Sequence, residues 1–132
     1  MKTIISIIVV VVIVGGGAAA AVPIYLMEKQ NRKTAIELTG GDPDKGRDAI
    51  GRYGCSSCHT VPGVRGADGM VGPPLTKIGT RMYIGGVLKN TPDNMKAWLK
   101  NPPGVDEKTA MPNLHLSDEE AKDIACYLYT LR

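Results

Sequence analysis

The sequence predicts an all-α protein, a small helical domain preceded by one N-terminal transmembrane helix. Three observations predict this. Apolar residues recur at helical spacing in several segments, and no segment alternates apolar and polar residues as a half-buried strand does. Glycine and proline cluster between those segments and mark where each one stops. An uncharged apolar run, Ile4 to Val22, interrupted only by Ser6, precedes them all.

The first element is that run. It is close to the ~20 residues that carry a helix across a bilayer. A cleaved secretory signal has the same ingredients: a basic residue (Lys2), an apolar stretch and small residues at Ala18 to Ala21. An uncleaved anchor over residues 1–23 is the favoured reading, and either reading exports the remainder of the chain. Small residues four apart (Gly15/Ala19, Gly16/Ala20, Gly17/Ala21) allow a second membrane helix to approach closely, although signal peptides carry similar runs. Residues 24–41 read as a charged stalk, with Ile24 to Leu38 extending the helix past Pro23 and Gly40-Gly41-Asp42-Pro43 breaking it. The globular domain is expected over 42–132.

Within that domain, Asp44 to Tyr53 is expected to be helical. Asp44 can cap it, Gly46, Ile50 and Tyr53 share a face, and Gly54 ends it. Residues 60–80 hold Pro62, Gly63, Gly66, Gly69, Gly72, Pro73, Pro74 and Gly79, a long loop that needs something to wrap. Thr91 caps a short helix to Lys100, with Pro92 at its first position and Trp98 facing inward. Asn101-Pro102-Pro103-Gly104 stops it. Ser117 and Glu120 form a capping box for a last helix to Leu131, whose apolar stripe is Ala121, Ile124, Tyr127, Leu128 and Leu131.

Cys55-Ser56-Ser57-Cys58-His59 carries the chemistry. Its C-x-x-C-H spacing is that of a c-type haem attachment site: two thiols form thioethers with the haem vinyl groups, and the adjacent histidine ligates the iron. A redox disulfide would share the C-x-x-C spacing but sits in a βαβ setting. A zinc site would draw on Cys126 and on His59 or His115, but no second knuckle is present. Covalent haem attachment requires an exported domain. This outweighs the opposing charge bias of Lys29, Arg32 and Lys33 after the apolar run. A haem also supplies core volume to a domain whose size makes an unaided core marginal and whose sequence lacks phenylalanine.

His59 leaves a second axial position on the iron. The candidates are Met111, His115, Met82, Met70 and Met95. Met111, in the rigid stretch Ala110-Met111-Pro112-Asn113, is favoured. Its thioether raises the reduction potential, whereas His115 would lower it. The duller role for Met111 is that of a core filler.

Charge says less. The formal net charge is +3, but Lys2, Lys29, Arg32 and Lys33 lie in or beside the anchor, and from Thr34 onward basic and acidic side chains balance. Arg65, Lys77, Arg81, Lys89, Lys96 and Lys100 outnumber Asp68 and Asp93 in the middle of the chain, a rim suited to an acidic redox partner or an ordinary solvated surface. No nucleic-acid-binding motif is present.

Together these residues resemble class I c-type cytochromes with one haem. The likeness covers about Asp44 to Leu131. It rests on Gly46 and Ile50 before the Cys-x-x-Cys-His motif, Gly72-Pro73-Pro74-Leu75, Arg81, Met111-Pro112, Leu116-Ser117-Asp118-Glu119-Glu120 and Tyr127-Leu128. The resemblance implies a small cytochrome c fold in which Gly46 and Ile50 pack on Ile124 and Tyr127. It implies that the Pro73 carbonyl orients His59 through Nδ1, that Arg81 lies near a haem propionate, and that Trp98 is a core or haem-wall residue. The stretches Arg81 to Gly86, Asn90-Thr91-Pro92 and Ala97 to Pro102 are similar to the cytochrome c domain fused to subunit II of some haem-copper oxidases. This chain has no copper-binding half, so no copper centre of its own is expected.

The expected cofactor is one haem c, covalent through Cys55 and Cys58. His59 and Met111 are its expected iron ligands, with Pro73, Arg81 and Trp98 around it. The expected function is one-electron transfer between redox protein partners in a respiratory or dehydrogenase chain, without catalysis by the chain itself. The chain would be a subunit of a complex in the bacterial inner membrane, docked through its 4–22 helix, with the haem on the periplasmic side. The alternatives are a five-coordinate haem sensor or peroxidase-like protein and, further off, a zinc-binding domain. Cys126 has no expected role beyond a buried thiol.

Overall fold

The computed structural model describes residues 22–132. The expected membrane span over 4–22, with its small-residue stripe, falls outside them except for Val22. Among the described residues no helix is long and apolar enough to cross a membrane. Residues 22–30 are helical, with Ile24, Tyr25, Leu26 and Met27 exposed. They belong to one of two units; the other, Asn31–Arg132, contains all the remaining elements.

The second unit also takes in residues 31–41, the part of the expected stalk next to the domain. Residues 31–39 are helical (α1), and Ala35 is fully buried in the hydrophobic core. The segment is charged, as a stalk would be, but Arg32 is matched by Asp44 through two hydrogen bonds of 3.2 and 2.7 Å. Gly40 then ends the helix at φ 68°, donating its N–H to the Ile36 carbonyl at 2.8 Å.

Helix α2 spans Pro43–Arg52 and is capped by Asp42 rather than by Asp44. Proline is pre-shaped for the first helical position and lacks the N–H that would go unpaired there. The cap therefore falls one residue earlier. Asp42 Oδ1 accepts from the N–H groups of Asp44 and Lys45 at 2.9 and 3.3 Å. Helix α3 (Pro92–Lys100) is capped by Thr91, and α5 (Asp118–Thr130) by the Ser117–Glu120 capping box. The Asn101-Pro102-Pro103-Gly104 stop is itself a single helical turn, α4 (Pro102–Val105), capped by Asn101.

Helix α5 is the central element, with α2 and α3 packed on it. It is buried over more than a stripe, from Asp123 through Tyr129. One of those residues is a carboxylate. Asp123 is 4 % exposed, and its Oδ1 accepts the Asp42 N–H at 2.8 Å, tying the α2 cap to α5. Ile50 on α2 and Ile124 on α5 are both buried in this core.

The expectation of no strand at all needs one correction. Tyr83–Ile84 (β1) pairs antiparallel with Leu88–Lys89 (β2). Gly85 and Gly86 both have positive φ, 57° and 78°, and the Val87 N–H donates to the Ile84 carbonyl at 3.1 Å. Two glycines in that conformation close a hairpin whose strands are too short to show an alternation.

Candidate haem site

The end of α2 builds the first wall of the site. Gly54, at φ 69°, turns the chain into a 3-10 turn over Cys55–Ser57. Residues three apart eclipse one another in such a turn. The N–H groups of Cys58 and His59 both donate to the Cys55 carbonyl, at 3.2 and 2.9 Å. The turn thereby gathers both thiols and the imidazole on one cavity wall.

The loop after the motif runs back alongside it. Gly69, Gly72 and Leu75 donate their N–H groups to the carbonyls of Ser56, Cys58 and Thr60, at 3.3, 2.7 and 2.8 Å. This places Gly72 directly against the His59 ring, where any side-chain carbon would overlap the imidazole. His59 Nδ1 lies 2.7 Å from the Pro73 carbonyl. A carbonyl only accepts, so Nδ1 carries the proton and Nε2 keeps its lone pair for a metal.

The cavity measures about 500 Å³. Its wall is mostly apolar, from Ile50, Leu75, Ile78, Ile84, Leu99, Ile124 and Leu128 among others. The structure brings all seven expected site residues to it: Cys55, Cys58, His59, Pro73, Arg81, Trp98 and Met111. Arg81 is the only charged side chain among the lining residues. Its Nη2 donates to the carbonyls of Pro74 and Thr76, at 2.5 and 2.9 Å, which leaves Nε and Nη1 for an acidic group. Trp98 is buried, with Gly85 pressed against its indole edge. An apolar slot lined by one cation and two thiols fits a porphyrin with two carboxylates and two thioether links.

Among the candidates for the second axial position, geometry separates the set. Met111 lines the cavity, held at its backbone by an N–H bond to Thr109 Oγ1 at 3.2 Å. Met95 lines it too, buried on α3. Met70 and Met82 are outside the cavity lining, 91 % and 78 % exposed. His115 is also outside, on a left-handed backbone (φ 55°) with its N–H bonded to Asn113 Oδ1 at 2.8 Å.

Cys126 stands apart from the two motif cysteines. Its Sγ donates to the Gly41 carbonyl at 3.3 Å, and burial pushes its thiol pKa up. Among the described residues, no three His, Cys, Asp or Glu side chains are gathered where a metal ion could be held. The basic rim is thinner than composition implied, since Lys96 and Lys100 pair with Asp93 and Asp118 at 4.0 and 2.6 Å.

Sequence reading passed over two residues of the site's frame. Tyr53 lines the cavity and hydrogen-bonds Glu120, which raises the phenol pKa. Its place immediately before Gly54-Cys55 was the available signal. Asn90 bonds the backbone on either side of the Arg81 turn; the Asn90-Thr91-Pro92 likeness included it but pointed to no role for it.

The family model for cytochrome c matches residues 43–132. The chain is also similar to three proteins named cytochrome c oxidase subunit 2. Identity is 31 % over 90 residues with that of Alkalihalophilus pseudofirmus, covering 67 % of this chain and 25 % of the relative. It is 32 % over 113 residues with that of Bacillus sp. (strain PS3), covering 82 % and 31 %. With that of Bacillus subtilis it is 32 % over 92 residues, covering 67 % and 26 %. The chain thus spans a third or less of each relative's length. Since the matched region runs from the start of α2 through the whole cavity to Arg132, the chain belongs to the cytochrome c family and carries one haem c bound covalently through Cys55 and Cys58.

Proposed function

We propose that the chain is a one-electron carrier, a membrane-anchored c-type cytochrome with His59 and Met111 as iron ligands. The bound haem supplies a ferric/ferrous couple. The residues do the rest. Cys55 and Cys58 would hold the macrocycle, and the Pro73 carbonyl holds the His59 proton at Nδ1, which leaves Nε2 as the neutral donor that would bind the iron. Met111 offers a thioether from a loop stiffened by Pro112, and Arg81 offers the one lining cation to a propionate. His59 and Met111 together would hold the iron without leaving a place for a substrate, which favours electron transfer over ligand chemistry. The mostly apolar walls would keep reorganisation around the bound group small.

The observation that carries this reading is the His59 Nδ1–Pro73 hydrogen bond in the same cavity as Met111 and both motif cysteines. The relatives' name, cytochrome c oxidase subunit 2, supports service to a respiratory chain as part of an oxidoreductase complex. The apolar run over 4–22 supports an inner-membrane anchor with the domain on the periplasmic side. The test is a visible spectrum and redox titration of the purified full chain. A haem stain that survives denaturing electrophoresis, a sulfur-to-iron charge-transfer band in the ferric form and reversible one-electron reduction are expected. A missing band together with ready carbon monoxide binding overturns the assignment of Met111 and with it the carrier reading.

A further inference from the structure

We infer that Asn90 is a positioning residue for the haem iron's histidine ligand, acting through Arg81 on the Pro73–Pro74 segment. The inference rests on the reading of His59 as an iron ligand.

Pro73 and Pro74 have no N–H groups, so backbone donors of their own cannot fix them. Their neighbours Gly72 and Leu75 are tied to the Cys58 and Thr60 carbonyls, and at the prolines themselves the ties are what their carbonyls accept. Pro73 accepts from His59 Nδ1 at 2.7 Å, and Pro74 accepts from the Arg81 guanidinium at 2.5 Å, with Thr76 as the second acceptor at 2.9 Å. Arg81 is thus the side-chain tie that fixes the segment carrying the His59 acceptor, between the backbone ties at Gly72 and Leu75.

Arg81 is in turn held by Asn90. The Asn90 Nδ2 donates to the Ile78 and Arg81 carbonyls, both at 2.8 Å, spanning the 3-10 turn Ile78–Thr80 on which Arg81 sits. Asn90 Oδ1 accepts from the Tyr129 hydroxyl at 2.7 Å, and the Asn90 N–H donates to the Met82 carbonyl at 2.9 Å. Both hydrogens of the amide are used, and its oxygen is anchored on α5. One side chain thus fixes the Arg81 turn against the most buried helix of the unit. An asparagine serves here because the site asks for two donors and one acceptor within reach of a short arm.

The consequence is electronic. A firm Nδ1–H···O bond makes the imidazole a stronger donor and favours the ferric iron. Loosening the clamp weakens that bond and raises the reduction potential.

The test uses the full-length holoprotein. Asn90→Leu removes both donors at similar volume. Asn90→Ser keeps one donor and serves where the leucine variant does not accumulate. Tyr129→Phe removes only the partner of Oδ1. Expected are a raised potential and a moved His59 Nδ1–H proton resonance in Asn90→Leu, with exchange of that proton faster by about tenfold, the equilibrium weight of one or two such bonds. Asn90→Ser gives smaller shifts of the same sign. Tyr129→Phe also gives smaller shifts of the same sign, because the amide keeps both donors but loses its anchor on α5. In the Asn90→Leu, Arg81→Ala double variant, the potential matches that of Arg81→Ala alone, because residues on one path do not add. Additive shifts, or an Asn90 variant that melts earlier with its potential and His59 resonance unmoved, overturn the inference. The wild-type spectrum separates the two readings: a low-spin, six-coordinate haem keeps the ligand assignment standing whatever the Asn90 variants do.

Discussion

Gly46 on α2 lies against the backbone carbonyl of Asp123 on α5, so close that a side-chain carbon at position 46 would overlap it. The obstructing atoms are backbone, which cannot rotate away. Gly46→Ala must therefore open the α2–α5 crossing that forms one side of the haem cavity. Overpacking of this kind costs about 1–3 kcal/mol. In a domain of this size that lowers the melting temperature by roughly 4–8 °C per kcal/mol. Gly51, five residues on in the same helix, is the matched control. A side-chain carbon there meets nothing within 4 Å. Gly51→Ala is expected to stabilise by about 0.5–1 kcal/mol, since glycine is the costlier residue in a helix. Thermal melts of the two variants check the pair, and equal shifts would count against a close crossing.

Gly72 is the same argument applied to the site. Its backbone backs the His59 imidazole and leaves no room for a methyl group. Gly72→Ala must push the ring aside or shift the loop that brings the Pro73 carbonyl to Nδ1. The covalent attachment through Cys55 and Cys58 does not depend on that loop. The variant is expected to keep its haem stain on a denaturing gel while losing its low-spin spectrum and binding carbon monoxide. A variant spectrum identical to wild type would show that the ring has freedom the packing denies it.

These two contacts show how legibility divides along the chain. The Cys55–His59 motif, the Ser117–Glu120 capping box and the Thr91-Pro92 helix start were readable because each is a local pattern with a local cause. The Gly46 crossing and the Pro73 carbonyl were reachable only through family resemblance, since neither follows from its neighbours in sequence. The start of the unit at Asn31 was hidden because a stalk and a helix with one buried face share the composition of 31–41, and only the Arg32–Asp44 pair and buried Ala35 distinguish them. The Tyr83–Lys89 hairpin was missed because two-residue strands leave no alternation to read. Asp123 was missed for a different reason: it satisfies a backbone group far away in the chain, and no local pattern records that, while Asn90 was read only as part of a likeness and not for the bonds it makes.

Met111 and Met95 both line the cavity, but their surroundings differ. Met95 is buried on α3 among core side chains. Met111 is half-buried, on a loop without regular structure. Met111→Ala is expected to abolish the sulfur-to-iron charge-transfer band and lower the reduction potential, since the soft thioether favours ferrous iron. Met95→Leu, nearly volume-conserving, is expected to keep the band and to cost less than about 1.5 kcal/mol. Spectra and potentiometry of both variants decide between them; the reverse pattern would make Met95 the ligand.

Acid stability has a named contributor. Hydrogen bonds from Ser117, and then from Tyr53, hold the Glu120 carboxyl below its ordinary pKa of 4.5. A depressed carboxylate contributes stability above its unfolded pKa and loses it as pH falls through the folded value. Unfolding midpoints in denaturant are therefore expected to fall as pH drops below about 4.5. Glu120→Gln keeps an acceptor and removes the charge, so its midpoint is expected to be lower at neutral pH and flatter in acid. An unchanged acid slope would assign the effect to Asp44 and Asp118, which Arg32 and Lys100 hold low in the same way.

At the alkaline end, Tyr129 is a named contributor. Burial pushes its phenol from the ordinary 10.0 up to about 12. The hydroxyl is donating to Asn90 Oδ1, an acceptor that an ionised phenolate would repel. A raised pKa means that the folded state holds the proton longer than the unfolded state does. Stability is then fully present below pH 10 and drains as pH rises towards about 12. Tyr129→Phe forfeits the hydrogen bond at all pH values but has no proton to lose. Its denaturation midpoint is expected to start below that of wild type at neutral pH and to decline less between pH 10 and 12. Parallel declines for the two proteins would move the alkaline limit to another group.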